Sequence, residues 1–338
     1  LALAQLAELG GVGALSFLCA MPAAALAERG RERRRGLAAC AVLVLLATAF
    51  GRQRLGSAEA SEAAPRWRVA ALSGLADAAD PVDAYARASA ALPAADLTVW
   101  PESALPGYLQ ESPSAVWRVR RTARERGWLL LGARRYEGSG AARRYYNGAL
   151  LVGPQGELAR SYTKTRLVPF AERSPWPFPS LVERPFSAPP EDVRALHAGG
   201  LRVGVLICWE SVFAAPAHAY ARQGVDLLVN LTSDRDLGSG AAQHIAFTRF
   251  RAIETRRWLL RVSGTGATLA IDPLGRIHRD RDVLAFTSER LPHGLVVWSG
   301  WWLPATAFAI LVLGLVLRRR RERDGANVTS HRATNRSS

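Results

Sequence analysis

Glu102, Lys164 and Cys208 each close a short apolar segment, in LTVWPE, SYTK and LRVGVLIC. Strand ends of α/β sheets commonly present functional side chains, and these three types suffice for acyl transfer. A cysteine must lose its proton to attack a carbonyl, and a neighbouring carboxylate can take it. A lysine ammonium can keep the thiolate charged and stabilise an oxyanion. Each also has a plainer account. A lone strand cysteine is commonly structural, and a single Glu or Lys is commonly a solvated charge. Spacing alone makes the three a candidate set.

The elements that must position them follow from periodicity. WRVAAL (67–72), LTVWP (97–101), WLLLGARRY (128–136), NGALLVGP (147–154), LRVGVLICW (201–209), DLLVNLT (226–232), WLLRVSG (258–264) and ATLAIDP (267–273) are short apolar runs bounded by turns. Such runs suit strands covered on both faces. Between them Pro81–Leu92, Ser114–Arg126, Ser211–Arg222 and Gly240–Arg257 suit amphipathic helices. The order predicts an α/β or α+β domain with a layered core over residues 66–294. Gly153–Gly156 is the turn of a hairpin, and 174–190, with six prolines, is a loop.

Apolar runs flank this domain. Leu295–Leu317 is 23 residues long without a charge, opens on Trp298, Trp301 and Trp302, and is closed by Arg318–Arg321. That length crosses a bilayer, with the aromatic belt and basic stop expected of a transmembrane helix. Gly10–Ala27, interrupted by Pro22, and Gly36–Gly51 are two further runs with RGRERRRG between them. They predict a helical hairpin (1–55) whose basic turn is cytoplasmic. Arg29–Arg35 and Arg318–Arg323, which heads a basic tail (318–338), then both lie inside. The domain between them lies outside.

The formal charge is +15. Its dense clusters abut apolar runs, which favours membrane flanks over nucleic-acid binding. The central part, with 32 basic and 24 acidic side chains, carries +8 and suits anionic headgroups. The three cysteines, Cys19, Cys40 and Cys208, do not form a disulfide framework. GxSxG, Walker and dinucleotide-binding words are absent, and the six histidines include no HExxH. No metal or cofactor is expected. His244 is expected to be a helix-packing residue.

The words WPESALP, YTKTRLVPFAE and GVLICWES, in that order, resemble the nitrilase superfamily over about residues 66–290. VNLTSD, QHIAFTRFRAIETRRWLLRVSGTG and IDPLGRI extend the likeness. LVPFAE, the membrane flanks and QLAELGGVGALSFL (5–18) narrow it to the apolipoprotein N-acyltransferase family. The resemblance implies an αββα sandwich between transmembrane helices, with earlier membrane segments preceding Leu1. It implies a multi-pass protein of a bacterial inner membrane with the catalytic domain on the outer side; the oligomeric state stays open, with a monomer expected.

By the same resemblance Cys208 attacks a phospholipid ester, Glu102 acts as general base and Lys164 stabilises the oxyanion. The thioester passes to the α-amine of a diacylglyceryl-cysteine on an apolipoprotein acceptor. Glu172 and Glu210 match further family glutamates that position Lys164 and the amine. Trp209 stands where the family commonly has Tyr, leaving packing or an N–H donor. Ser233–Leu237 and Ser263–Gly266 replace the family's Asn-Asp-aromatic and Asn-Thr-Gly words, which bears on acyl-chain and acceptor choice. Trp176 and Phe178, with Leu181 and Phe186, are expected either to form a lid over a lipid entry or to pack as a Pro-rich loop. Two other functions stay open: a membrane-tethered amidase-type hydrolase, and a catalytically idle membrane-anchored binding protein.

Overall fold

The computed structural model describes residues 1–57, 67–177, 181–189, 193–235, 237–278, 283–286 and 294–299. Phe178, Asp236, the expected C-terminal membrane helix beyond residue 299 and the basic tail lie outside the described residues.

Two sheets face each other. The first is built from β1 (Trp67–Ala71), β2 (Leu97–Val99), β3 (Leu105–Tyr108), β4 (Trp128–Glu137), β5 (Arg144–Val152) and β6 (Leu158–Thr163). The second holds β7 (Leu196–Ala198), β8 (Leu201–Ile207), β9 (Leu227–Thr232), β10 (Trp258–Ser263), β11 (Leu269–Ile271) and β12 (Ile277–His278). A last strand, β13 (Val283–Phe286), returns to the first sheet beside β1. The centre of each sheet is parallel, β1–β2–β4 in one and β8–β9–β10 in the other, and both edges turn antiparallel.

The strand residues sort by alternation onto two faces. Val69, Leu97, Val99, Leu130 and Leu151 point inward and meet Val203, Val205, Ile207, Val229 and Val262 of the other sheet. Leu129, Leu131 and Val152 point outward under α3 (Pro81–Ala91) and α4 (Pro113–Arg126). Leu206, Leu228 and Leu259 point outward under α5 (Ala214–Arg222) and α6 (Gly240–Thr255). Each fully buried side chain contributes about 1.5–3 kcal/mol, and the two-faced burial explains why these strands read as unbroken apolar runs. Local signals set the helix ends. The Asp80 carboxylate caps α3 by accepting from Asp83 N at 3.1 Å, with Pro81 in the first turn.

Two long helices precede the sandwich: α1 (Ala7–Ala27) and α2 (Gly30–Ser57). Both are long and apolar enough to cross a membrane. Their apolar faces are largely open, with Leu45 69% and Leu46 60% exposed. The structure differs from sequence expectation here in two ways. Pro22 does not interrupt α1, which runs on to Ala27. The break is at Gly10–Gly11, where Gly11 adopts φ 65° beside Val296 and Glu254. The basic segment is also not a turn. The connection is Glu28–Arg29, and Arg31–Arg35 lie in the first turns of α2.

The base of α1 docks on the sandwich through buried polar groups. Gln5 Nε2 donates to Leu274 O at 2.9 Å. Glu8 pairs with Arg54 of α2 at 2.7 Å and with Arg256, just past α6, at 3.4 Å.

Candidate active site

Glu102 sits in the turn after β2. Gly132 of β4 permits that placement: a Cβ there would lie 2.5 Å from Glu102 Cα and 2.7 Å from Pro101 O. Gly132 N donates to Pro101 O at 3.0 Å, pinning the turn to the sheet. Lys164 directly follows β6, and its backbone N donates to Asn147 O at 2.8 Å. Its side chain is 1% exposed, and the ammonium meets Glu172 Oε1 at 2.8 Å and Glu102 Oε1 at 3.6 Å. Glu172 is held by its own turn, with Val168 N donating to its Oε2 at 2.8 Å.

Asn147 joins the two carboxylates. Its Nδ2 donates to Glu102 Oε1 at 2.9 Å and to Glu172 Oε1 at 3.0 Å. Sequence inspection passed over this residue within NGALLVGP. The available signal was an Asn, a poor strand former, opening an otherwise apolar run.

Cys208 does not close its strand as expected. It opens a 3-10 turn, Cys208–Val212, after β8, with φ 49°. A side chain other than Gly in this region costs about 1–3 kcal/mol and persists where surroundings over-determine it. Burial, then the Glu102 charge, pushes the thiol up to about 12, while Lys164 pulls it down. Burial is also the largest influence on Lys164 and pulls it down. The charges of Glu102, Cys208 and Glu172 outweigh that and hold the ammonium above its ordinary range. At neutral pH the resting site therefore holds a protonated thiol beside a charged lysine.

Glu210 does not reach Lys164. It is fully buried and ties the segments carrying Lys164 and Cys208 together. Its Oε1 accepts from Tyr162 Oη at 2.8 Å, Thr165 N at 2.8 Å and Thr165 Oγ1 at 2.9 Å; Oε2 accepts from Ile207 N at 2.8 Å. Burial raises its carboxyl, opposed by the Ile207 and Thr165 amides and the Tyr162 hydroxyl. Trp209 is half-buried and packs edge-on against Phe213. Trp176 is 93% exposed and Phe170, at φ 68°, is 68% exposed, both on the segment that carries Glu172.

The two loops that depart from the family pattern brace one another. Ser233 Oγ lies 3.2 Å from Thr265 Oγ1, which also accepts from Asp234 N at 3.2 Å. Asp234 pairs with the buried Arg261. His244 is not merely a packing residue, since its ring bonds to Cys208 O, Ser211 and Arg261. Among the described residues no group of three His, Cys, Asp or Glu side chains could hold a metal ion.

A buried ammonium between two carboxylates, charge-linked to a cysteine in a left-handed turn, is an arrangement whose thiol could attack a carbonyl carbon. A family model for carbon-nitrogen hydrolases matches residues 59–303, and the chain belongs to that family. Solved structures of an amidase from Nesterenkonia sp. share the fold. One aligns over 73% of this chain and 98% of its own with a TM-score of 0.52 at 21% identity. Another aligns over 68% and 93% with a TM-score of 0.51 at 22% identity.

Two curated relatives carry the name apolipoprotein N-acyltransferase. That from Geobacter metallireducens is 36% identical over 82% of this chain and 58% of its own length. That from Azotobacter vinelandii is 35% identical over 94% of this chain and 67% of its own. The chain thus spans between 58% and 67% of the length of these relatives.

Proposed function

We propose that this chain is a membrane-embedded acyltransferase. It takes an acyl chain from a phospholipid ester, holds it as a thioester on Cys208, and passes it to the α-amine of a diacylglyceryl-cysteine at the head of an apolipoprotein. The observation that carries the reading is the Lys164 ammonium, buried between Glu102 and Glu172 and charge-coupled to the Cys208 thiol. The names of the relatives support N-acyl transfer to an apolipoprotein; the phospholipid donor and the thioester belong to the proposal.

With the thiol pushed up to about 12, a free thiolate is scarce at neutral pH. Proton removal must therefore accompany attack, and we assign it to Glu102, whose charge acts on the thiol. As Sγ bonds to the ester carbon, the thiol proton passes to Glu102 and the oxyanion forms toward Lys164. Collapse breaks the ester C–O bond, and Glu102 returns the proton to the departing lysophospholipid oxygen. In the second half the amine attacks the thioester, its proton passes through Glu102, and the Cys208 thiol is restored. Glu172 and Asn147 keep Lys164 and Glu102 apart from other partners. No step calls on a cofactor.

The open apolar faces of α1 and α2 support a lipid surrounding, because soluble proteins rarely leave such contiguous area in water. We place the protein in the bacterial inner membrane as a multi-pass protein, with Arg29–Arg35 inside and the sandwich outside. Exposed Trp176 and Phe170 suit a hydrophobic lid at the lipid entry, and Trp176→Ser should raise the KM for phospholipid without lowering the unfolding temperature.

Purified protein given acyl-labelled phospholipid should accumulate label on Cys208, released by hydroxylamine and by acceptor peptide. Absence of label on the wild type, or equal label on Cys208→Ala, sinks the reading. Free fatty acid without acylated peptide would instead assign a hydrolase, with water taking the place of the amine.

A further inference from the structure

His244 lies on α6, 36 residues from Cys208 in sequence, yet its Nε2 is 3.0 Å from Cys208 O and 2.8 Å from Ser211 Oγ. Its other ring nitrogen faces Arg261, whose Nη2 is 3.2 Å from Nδ1. A guanidinium has only donors, so Nδ1 must accept. The ring proton is then on Nε2, shared between Ser211 Oγ at 2.8 Å and the nucleophile's own carbonyl at 3.0 Å. Arg261 is itself fixed. It is fully buried, pairs with Asp234, and donates through Nη1 to Ala267 O at 2.6 Å. Burial lowers the His244 pKa against the pull of the Cys208 carbonyl, and the Arg261 charge adds to the lowering.

The same helix face meets the rest of the 3-10 turn. His244, Thr248 and Arg251 are spaced four and three apart, which stacks them on one side of a helix. Thr248 Oγ1 lies 3.4 Å from Ser211 Oγ, and Arg251 Nη1 donates to Val212 O at 3.1 Å. Ser211 Oγ also donates to Cys208 O at 3.0 Å. These bonds hold the Cys208–Val212 turn, and those of Ser211 and His244 end on the carbonyl of Cys208, the residue at φ 49°.

We propose that His244, oriented by the buried Asp234–Arg261 pair, is a positioning residue for the nucleophile: its Nε2–H holds the Cys208 carbonyl and so fixes the left-handed turn that aims the thiol. It does not touch substrate. The inference rests on Cys208 being the attacking group and on no particular acyl donor or acceptor.

Two substitutions separate positioning from space filling. Gln places its amide nitrogen near the position of Nε2 and keeps the donor to Cys208 O. Asn places its amide near Nδ1, where it can still meet Arg261 but cannot reach the carbonyl. The full chain in detergent is treated with iodoacetamide, and alkylation of the Cys208 peptide is followed by mass spectrometry. This readout needs no lipid, so its outcome does not depend on the assigned reaction. His244→Gln should keep at least a third of the wild-type alkylation rate. His244→Asn and His244→Ala should fall at least tenfold, and with labelled phospholipid the loss should appear in kcat rather than KM.

Thermal unfolding of each variant distinguishes misplacement from misfolding. Equal impairment of Gln and Asn in folded protein, or Ala within twofold of wild type, overturns the proposal. Should Asn and Ala fail to fold, the Gln variant decides alone: at least a third of the wild-type rate supports the role, and anything lower refutes it.

Discussion

Replacing Glu102 by Gln should make Cys208 easier to alkylate while abolishing its turnover. The Cys208 thiol stands about three units above its ordinary 9.0, with burial the main cause and the Glu102 charge the next. The amide keeps the shape of the carboxyl and can still accept from Asn147, whose Nδ2 is 2.9 Å from Glu102 Oε1. Only the charge is lost. Removing a neighbouring charge shifts a pKa by about 1–3 units, which enriches the thiolate about 10- to 1000-fold near neutral pH. A less basic thiolate is also a weaker nucleophile, with a Brønsted coefficient of about 0.4–0.5, so alkylation should rise about 3- to 60-fold. Acyl transfer loses its proton acceptor and should fall about 10²- to 10⁴-fold. Iodoacetamide labelling read at the Cys208 peptide and turnover of labelled phospholipid measure the two sides. Slower or unchanged labelling would refute the charge coupling, and retained turnover would refute the base.

Gly132→Ala should act as a remote Glu102 lesion. The added Cβ meets Glu102 Cα at 2.5 Å, and a displacement near 1 Å costs about 10²-fold in rate, read as kcat. Cys208→Ala should flatten the alkaline limb of the stability curve. The thiol's folded pKa of about 12 lies above its unfolded 9.0. The stability it contributes is therefore complete below pH 9 and is lost as pH rises toward 12, by about 4 kcal/mol in all. Denaturant melts of wild type and variant should diverge only above pH 9. Arg256→Met should leave the buried Glu8 facing Arg54 alone and cost about 3 kcal/mol. Combining it with Glu8→Gln should cost less than the sum of the two, as measured by thermal unfolding.

The sandwich was legible because burial on both faces leaves strands such as LLVNLT and LRVGVLI apolar at nearly every position. The local word PESALP and the hairpin before Lys164 placed two site residues because each is set by the strand it follows. What was not legible depends on contacts distant in sequence. Asn147 acquires its role from Glu102 and Glu172, 45 and 25 residues away. His244 acquires its role from Cys208 and Arg261. The short strands β3, β7, β12 and β13 are held by their neighbours' hydrogen bonds and carry too little pattern to stand out. Pro22 interrupts the apolar run in the sequence, yet the helix breaks at Gly10–Gly11, near Val296 and Glu254, which no window of α1 contains.

That approach belongs to a longer structural connection. His244 and Arg251 of α6 hold the nucleophile turn, and Arg256, just beyond the same helix, holds Glu8 of α1. At 1.5 Å per residue, about 18 Å of continuous helix separates the two ends. Glu254 sits between them, paired with both Arg251 and His218 and in reach of Gly11. A helix transmits displacement without absorbing it in the way a loop does, and its buried ion pairs cannot exchange partners with water. The two apolar helices and the cysteine turn are therefore tied to the same helix. A loop connection would let the thiol shift with every excursion of the hairpin, whereas α6 holds the carbonyl of Cys208 in fixed register with the base of α1.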